Sequence, residues 1–293
     1  MQVDAERAGL GVDRGGGRQQ PVGGGGIGEG QGGRHPSIIP RAGSTSVRSV
    51  PDPALRQDGR MTDASSPRPL HVLWDVDGTL LLNGPRAGGM YHRAIELAAG
   101  EELEDRTVHA HGKTDGQIIW ETLDLYGLPA SLHAAVREQL EGMSRVEHYG
   151  AGRREVPVGV PRLVADVAAR GWVNALLTGN SPLRARYKLD GAGLDVGLFD
   201  WDASFFGHEA RIRSDLTLRA AEALAGAAVV IIGDTPADGV AAEAAGFPFV
   251  AVATGAYDVA QLRSPDAHAA VVVPDLQAGH DEVMAYLDGL AAG

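Results

Sequence analysis

The stretch His71-Val72-Leu73-Trp74-Asp75-Val76-Asp77-Gly78-Thr79-Leu80-Leu81 sets the terms for the rest of the chain. An apolar run that stops abruptly at two carboxylates reads as a buried parallel strand delivering acidic groups to its C-terminal end. Open α/β sheets bind their ligands at that end. Carboxylates at alternate positions face opposite ways in a regular strand, so both reach one ligand only if the chain leaves strand geometry near Asp77. Gly78 permits that turn. Taken alone, Asp-x-Asp-Gly is equally a strand followed by an Asp-Gly turn, and the downstream pieces decide between the two.

Two further apolar runs end in polar loops. Trp172 to Leu177 runs into Thr178-Gly179-Asn180-Ser181, and Ala228 to Ile232 into Gly233-Asp234-Thr235-Pro236-Ala237-Asp238. Short strands are predicted at 204–206, 249–253 and 270–273, with helices at 160–169, 182–189, 215–225 and 240–245 between them. This alternation implies an α/β fold, a Rossmann-like parallel sheet with helices on both faces. The segment after the first strand breaks the pattern. Helical spacing recurs over Met90–Ala98, Asp115–Tyr126 and Ser131–His148 with no strand between, whereas a crossover needs one helix. Residues 86–153 are therefore expected to form a small helical cap, inserted into a core made of 70–85 and 154–293.

Residues 1–69 are rich in Gly, Arg, Pro and Ser, contain no aromatic residue and have no sustained apolar period. A segment of this composition does not bury enough surface to offset its ordering entropy, and it is expected to be a disordered N-terminal arm. Met61, just ahead of the first strand, offers an alternative start. The chain of 293 residues contains no cysteine, which excludes disulfides and thiolate metal sites and points to a cytoplasmic location. No apolar run approaches the ~20 residues that span a bilayer, so no membrane partner is expected. Net charge is -12, divided as +2 over residues 1–60 and -14 over the remainder. An acidic body argues against nucleic acid as a partner.

Asp75 with Asp77, Thr178 with Asn180, and Asp234 with Asp238 all lie at C-terminal strand ends and can converge along one sheet edge. Four carboxylates sharing a small site need compensation, which a hard divalent ion such as Mg²⁺ supplies while also binding a phosphate oxygen. Asp75-Val76-Asp77-Gly78-Thr79-Leu80, Leu177-Thr178-Gly179-Asn180 and Gly233-Asp234-Thr235-Pro236-Ala237-Asp238 resemble, in order, the first, second and fourth motifs of the haloacid dehalogenase superfamily. The insert resembles that superfamily's helical cap of the phosphoglycolate phosphatase and β-phosphoglucomutase type. The resemblance covers about residues 70 to 280.

It implies that Asp75 is the nucleophile that attacks phosphorus and that Asp77 is the acid and base. The second acid favours phosphoryl transfer over carbon–halogen cleavage. By the same resemblance Thr178, Gly179 and Asn180 hold the phosphoryl group. Asp75, Asp234, Asp238 and the backbone carbonyl of Asp77 serve Mg²⁺. The third motif, a Lys or Arg, lacks its usual Lys-Pro run. Arg211 fits best by position, with Arg213 and Lys188 as rivals. In the cap, His111-Gly112-Lys113-Thr114-Asp115 stands at a helix start, where Lys113 is expected to meet the distal anionic group of the substrate, or Thr114 or Asp115 simply to cap the helix. The expected activity is Mg²⁺-dependent hydrolysis of a small phosphorylated metabolite. The alternatives are a sugar phosphomutase, a phosphonatase using Lys113 as a Schiff base, and a non-catalytic phosphate sensor.

Overall fold

A computed structural model of the chain describes residues 69–84, 87–104, 106, 112–150 and 153–293. The predicted N-terminal arm lies outside the described residues up to position 68, as do His109 and His111. Six strands form one parallel sheet: β1 (His71–Trp74), β2 (Val173–Thr178), β3 (Phe205–Phe206), β4 (Val229–Gly233), β5 (Phe249–Val252) and β6 (Val271–Val273). Their spatial order is β3-β2-β1-β4-β5-β6. The chain steps outward from β1 in one direction and then returns to start the other half. The reversal sits at β1, where open sheets of this class bind ligands. Register brings the ends together: Trp74 lies opposite Leu176 on β2 and opposite Ile232 on β4. The loops after these three strands therefore start side by side.

Both faces of the sheet are covered. On one, Val72, Trp74, Leu176, Val230 and Val250 pack against α4 (Val160–Ala169), α5 (Pro182–Ala192) and α9 (His280–Ala292). On the other, Leu73, Ala175, Ile231 and Phe249 pack against α6 (Arg213–Ala223) and α7 (Pro236–Ala244). The alternation of Val72 and Trp74 with Leu73 is the period of two that assigns each residue to its face. A short helix, α8 (Val259–Leu262), precedes β6. The C-terminal helix α9 was not anticipated from sequence. Its apolar positions Val283, Met284 and Leu287 are buried on the first face.

Three helices separate β1 from α4: α1 (Ala87–Ala99), α2 (Asp115–Tyr126) and α3 (His133–Tyr149). They hold an apolar cluster of their own, with Tyr91 and Ile95 from α1, Ile118, Ile119 and Leu123 from α2, and Val136 and Leu140 from α3. Gly127 ends α2 at φ 66°, the left-handed conformation glycine adopts without strain. Four helix starts differ from sequence expectation, those of α1, α3, α6 and α7, and the last two bear on the site. α6 begins at Arg213 and not at Asp215, and α7 begins at Pro236, where Thr235 and Asp238 form a reciprocal capping box. Among the described residues, no helix is long and apolar enough to cross a membrane.

One polar pair is built into the first face. The Trp74 indole donates to Asn174 Oδ1 (2.9 Å), and Asn174 Nδ2 donates to the carbonyls of Val164 (3.0 Å) and Leu198 (3.3 Å). Truncating Asn174 leaves the buried indole N–H without a partner, at a cost of roughly 1–3 kcal/mol for that group alone. Asn174→Ala is expected to lower the urea midpoint accordingly with an unchanged denaturant slope, read by chemical unfolding.

Candidate active site

Asp75 is the first residue past β1, and its N–H still bonds to the sheet at Ile232 O (3.0 Å). The chain then folds back on itself. Gly78 N bonds to Leu81 O (2.7 Å) and Leu81 N to Val76 O (2.9 Å). This tight loop ends the strand alternation, as the sequence required for Asp75 and Asp77 to serve one site. Gly78 sits at φ 96°, and a Cβ there would overlap the Asp234 carboxylate. A Cβ on Gly255 would overlap the same carboxylate. Two glycines thus form a cradle that lets Asp234, at the end of β4, approach the first loop, where Thr79 Oγ1 donates to its Oδ1 (3.2 Å).

Asp238 reaches the site from the first turn of α7. Its Oδ2 accepts from Thr235 N (3.1 Å) and Thr235 Oγ1 (2.8 Å), and its Oδ1 is bonded by Arg213 Nη2. The same Arg213 nitrogen donates to Asp75 Oδ1 (3.0 Å). One oxygen from each of Asp75, Asp234 and Asp238 lies within 4.8 Å of the other two, and all three residues are buried. Three carboxylates against one guanidinium leave two negative charges when all are ionised. An all-oxygen donor set with that excess suits a hard divalent cation.

The Asp77 side chain takes part in a second network. Lys188 Nζ, buried on α5, donates to Asp77 Oδ1 (2.8 Å) and Oδ2 (2.6 Å) and to Asn180 Oδ1 (2.7 Å). Asn180 Nδ2 donates to Asp77 Oδ2 (2.8 Å) and to Thr178 Oγ1 (2.8 Å). Arg154 adds a longer ion pair to Asp77 (3.9 Å) while donating to Leu82 O (3.3 Å). The loops after β1 and β2 are thereby tied together through Asp77, Asn180 and Lys188.

The structure brings Asp75, Asp77, Thr178, Gly179, Asn180, Asp234 and Asp238 to one sheet edge. It does not bring Arg211 there. Arg211 instead stacks over the Trp120 ring of α2, 4.4 Å from its centroid, and Trp120 stacks on His133. The physical reason is the earlier start of α6, which makes Arg213 the first helical residue and aims its guanidinium at Asp75. Lys113, just ahead of α2, is ion-paired with Glu121 of that helix (2.5 Å). Its backbone, rather than its ammonium, approaches the Thr178–Ser181 loop, since a Cβ on Gly179 would lie 2.9 Å from Lys113 O. Sequence reading missed Arg154 and Thr79. Arg154 lies at the second junction between cap and core, where its proximity to Asp77 arises from tertiary structure alone.

The family model described as HAD-hydrolase-like matches residues 213–278, which include Arg213, Asp234 and Asp238. The chain has a haloacid dehalogenase-like fold. Three solved structures illustrate the likeness. A hydrolase from Pseudomonas syringae is 19% identical, with 74% of this chain and 99% of that one covered and a TM-score of 0.53. A β-phosphoglucomutase candidate from Bacteroides vulgatus is 18% identical, with 78% and 93% covered and a TM-score of 0.51. A phosphatase named from prediction, from Clostridium acetobutylicum, is 16% identical, with 74% and 99% covered and a TM-score of 0.50. No curated protein matches the chain.

Charge is unevenly shared among these carboxylates. Burial, opposed by Arg213 and reinforced by Asp238 and Asp77, pushes the Asp75 carboxyl up to about 7. Burial with the charges of Asp75 and Asp238 pushes Asp234 up to about 9. Asp77 goes the other way. Burial favours its neutral form, but the Lys188 ammonium and the hydrogen bonds from Asn180 and Lys188 hold it well below the usual carboxylate range. A carboxyl whose pKa is raised on folding binds protons more tightly in the native state. Its contribution to stability is therefore fully present below about pH 4 and is lost as pH rises through 7 and 9. In EDTA, the melting temperature of the wild type is expected to fall between pH 5 and pH 9 more steeply than that of Asp234→Asn. Equal slopes in a thermal-shift series would contradict this assignment of charge.

Proposed function

We propose that the chain is a Mg²⁺-dependent phosphatase of the cytoplasm, hydrolysing a small phosphomonoester through an aspartyl-phosphate. The observation that carries this reading is the convergence of two acids from one loop with the Thr178–Ser181 loop and a buried carboxylate cluster at one sheet edge. Asp75 stands beside Arg213 in the buried carboxylate cluster, and Asp77 stands beside Asn180 and Lys188. A simple phosphate binder has no use for both. The absence of cysteine is what supports the location.

In this mechanism an Asp75 carboxylate oxygen attacks phosphorus and the bond to the ester oxygen breaks. Asp77, ionised beside Lys188 in the free site and protonated only once substrate is bound, donates that proton to the leaving oxygen. Asp77, now a carboxylate, then removes a proton from water as that water attacks the phosphorus of the aspartyl-phosphate. Inorganic phosphate leaves, and Asp75 is regenerated. Thr178 with the amides of Gly179 and Asn180 holds the transferring group, and Arg213, in the role first given to Arg211, offsets charge between nucleophile and phosphate. Asp75 and Asp234, with Asp238 beside them, would hold the ion, which when bound supplies positive charge to the phosphate oxygens. The three-helix cap over residues 86–153 favours a small substrate.

Phosphate release from p-nitrophenyl phosphate and a panel of small phosphomonoesters is expected with Mg²⁺ and not with EDTA, and Asp75→Asn is expected to abolish it while the protein stays folded by circular dichroism. Retained turnover in Asp75→Asn would remove the nucleophile assignment, and isomerised sugar phosphate in place of inorganic phosphate would mark a mutase. A second pair of variants tests the cation. Arg213→Gln is expected to lower kcat/KM by roughly 100-fold or more, the scale for losing one charge-stabilising donor. Arg211→Gln, which loses a stacking contact with Trp120, is expected to stay within about threefold of wild type, a difference below ~1 kcal/mol.

A further inference from the structure

The N-terminus of α2 is joined to the core by contacts that its own helix does not need. Thr114 already caps the helix, its Oγ1 accepting from Gln117 N (3.0 Å). The Asp115 carboxylate is therefore free of capping duty, and its recorded partners all lie elsewhere. Oδ1 accepts from Tyr91 Oη (2.6 Å) on α1 and from Arg184 Nη1 on α5, and Oδ2 accepts from Ser181 N (2.9 Å). Asp115 N in turn donates to Gly179 O (2.7 Å). One cap residue thus grips the Thr178–Ser181 loop twice, at a carbonyl and at an amide, on either side of Asn180.

The surrounding backbone is shaped for this contact. Gly116 N donates to Gly207 O (3.1 Å), Thr114 Oγ1 to Ala210 O (2.8 Å), and Gly207 N to Asn180 O (3.1 Å). Side chains are excluded where the chains meet: a Cβ would come within 2.9 Å of Thr114 Cα at Gly179, 2.7 Å of Ala210 O at Gly116 and 2.7 Å of Thr114 Cβ at Gly207. A trans peptide is planar, so turning the Gly179 carbonyl toward Asp115 turns the Asn180 N–H the opposite way. That amide is one of those assigned above to the phosphoryl group.

We infer that Asp115 is a positioning residue for phosphoryl transfer, fixing the Thr178–Ser181 loop from the cap side so that its amides and the Asn180 side chain face the reacting group. The inference rests on the phosphatase reading of the site. Tyr91 and Arg184 hold the Asp115 carboxylate in place. Cap docking and the shape of the phosphate loop are then one event rather than two.

Asp115→Glu keeps the charge opposite Arg184 but moves the carboxylate off Ser181 N, and the double variant Asp115→Ala/Arg184→Met removes both charges without leaving either one buried alone. Leu287→Ala serves as the stability control, since it opens a cavity in the buried face of α9 and has no part in this joint. Three quantities are compared: kcat and KM for p-nitrophenyl phosphate in MgCl₂, affinity for inorganic phosphate by calorimetry in MgCl₂, and melting temperature. Asp115→Glu and the double variant are expected to lower kcat by roughly 10- to 100-fold, the scale for misplacing reacting groups by about an ångström. The fall in kcat should exceed any rise in KM, and phosphate affinity should weaken. Leu287→Ala should lower the melting temperature while holding kcat. Wild-type kcat and phosphate affinity in both Asp115 variants would overturn the inference, whatever happens to their stability. If the wild type releases no phosphate from any ester, the phosphatase reading fails. Phosphate affinity then decides the clamp, and equal binding by wild type and Asp115→Glu, or no binding by the wild type, overturns it as well.

Discussion

The carboxylates of Asp75, Asp234 and Asp238 crowd one another in a buried pocket at the edge of the sheet, with Arg213 as the cation bonded to two of them. Like charges at this separation in a poorly solvated place repel strongly, and a free chain would keep them apart. The strands hold them together. Asp75 follows a strand hydrogen-bonded on both sides, and Asp234 follows the fully buried β4 beside it. Neither can retreat without breaking sheet pairing and exposing Trp74 or Ile232. The cost of the cluster is borne by the core, which is why the site sits where the most apolar strands end. Gly78 and Gly255 contribute by absence, leaving room for Asp234 that any side chain would fill.

The second network solves a different problem with similar means. Asp77 lies two residues from Asp75 yet faces Lys188 and Asn180 rather than the carboxylate cluster. The turn at Gly78 sets this divergence. Two acids close in sequence acquire opposite proton affinities because burial, reinforced by neighbouring carboxylates, raises one, while an ammonium and an amide outweigh burial at the other. The split runs opposite to the one a nucleophile and a proton donor need. In the phosphatase reading a cation held by the cluster would therefore ionise Asp75, and Asp77 must gain its proton when the phosphate enters.

Strand ends and motif order were legible because they depend on local pattern: apolar runs of fixed length, then glycine and acid. The parallel sheet, the six strands and the three helices between β1 and α4 follow from that pattern. The third-motif cation was not legible, since Arg211, Arg213 and Lys188 are all plausible by spacing. The choice turned on whether α6 starts at Arg213 or at Asp215, and Ser214 looks like a cap in sequence although Ile212 holds that position. Arg154 and Asp115 were unreadable as site residues for a related reason. Their partners lie 77 and 66 positions away, and no periodicity reports contacts of that kind. The C-terminal helix was not anticipated, although Val283, Met284 and Leu287 recur at helical spacing.

The Asp115–Arg184 pair bears on what the cap is for. Both side chains are buried, and a buried ion pair gains little over an apolar contact of the same shape, because two charges must first be taken from water. Stability alone would have been served by leucine and methionine, as in the rest of the cap's interior. What a charged pair adds is direction. It has one good geometry, and that geometry places Asp115 Oδ2 on Ser181 N, at the end of the loop that begins with Thr178. An apolar seam would tolerate a shift of an ångström between cap and core, and the phosphate loop would shift with it. The polar joint therefore stands where misalignment would reach the chemistry, while the cap's own helices are held by Ile118, Ile119, Leu123 and Leu140, for which such precision is unnecessary.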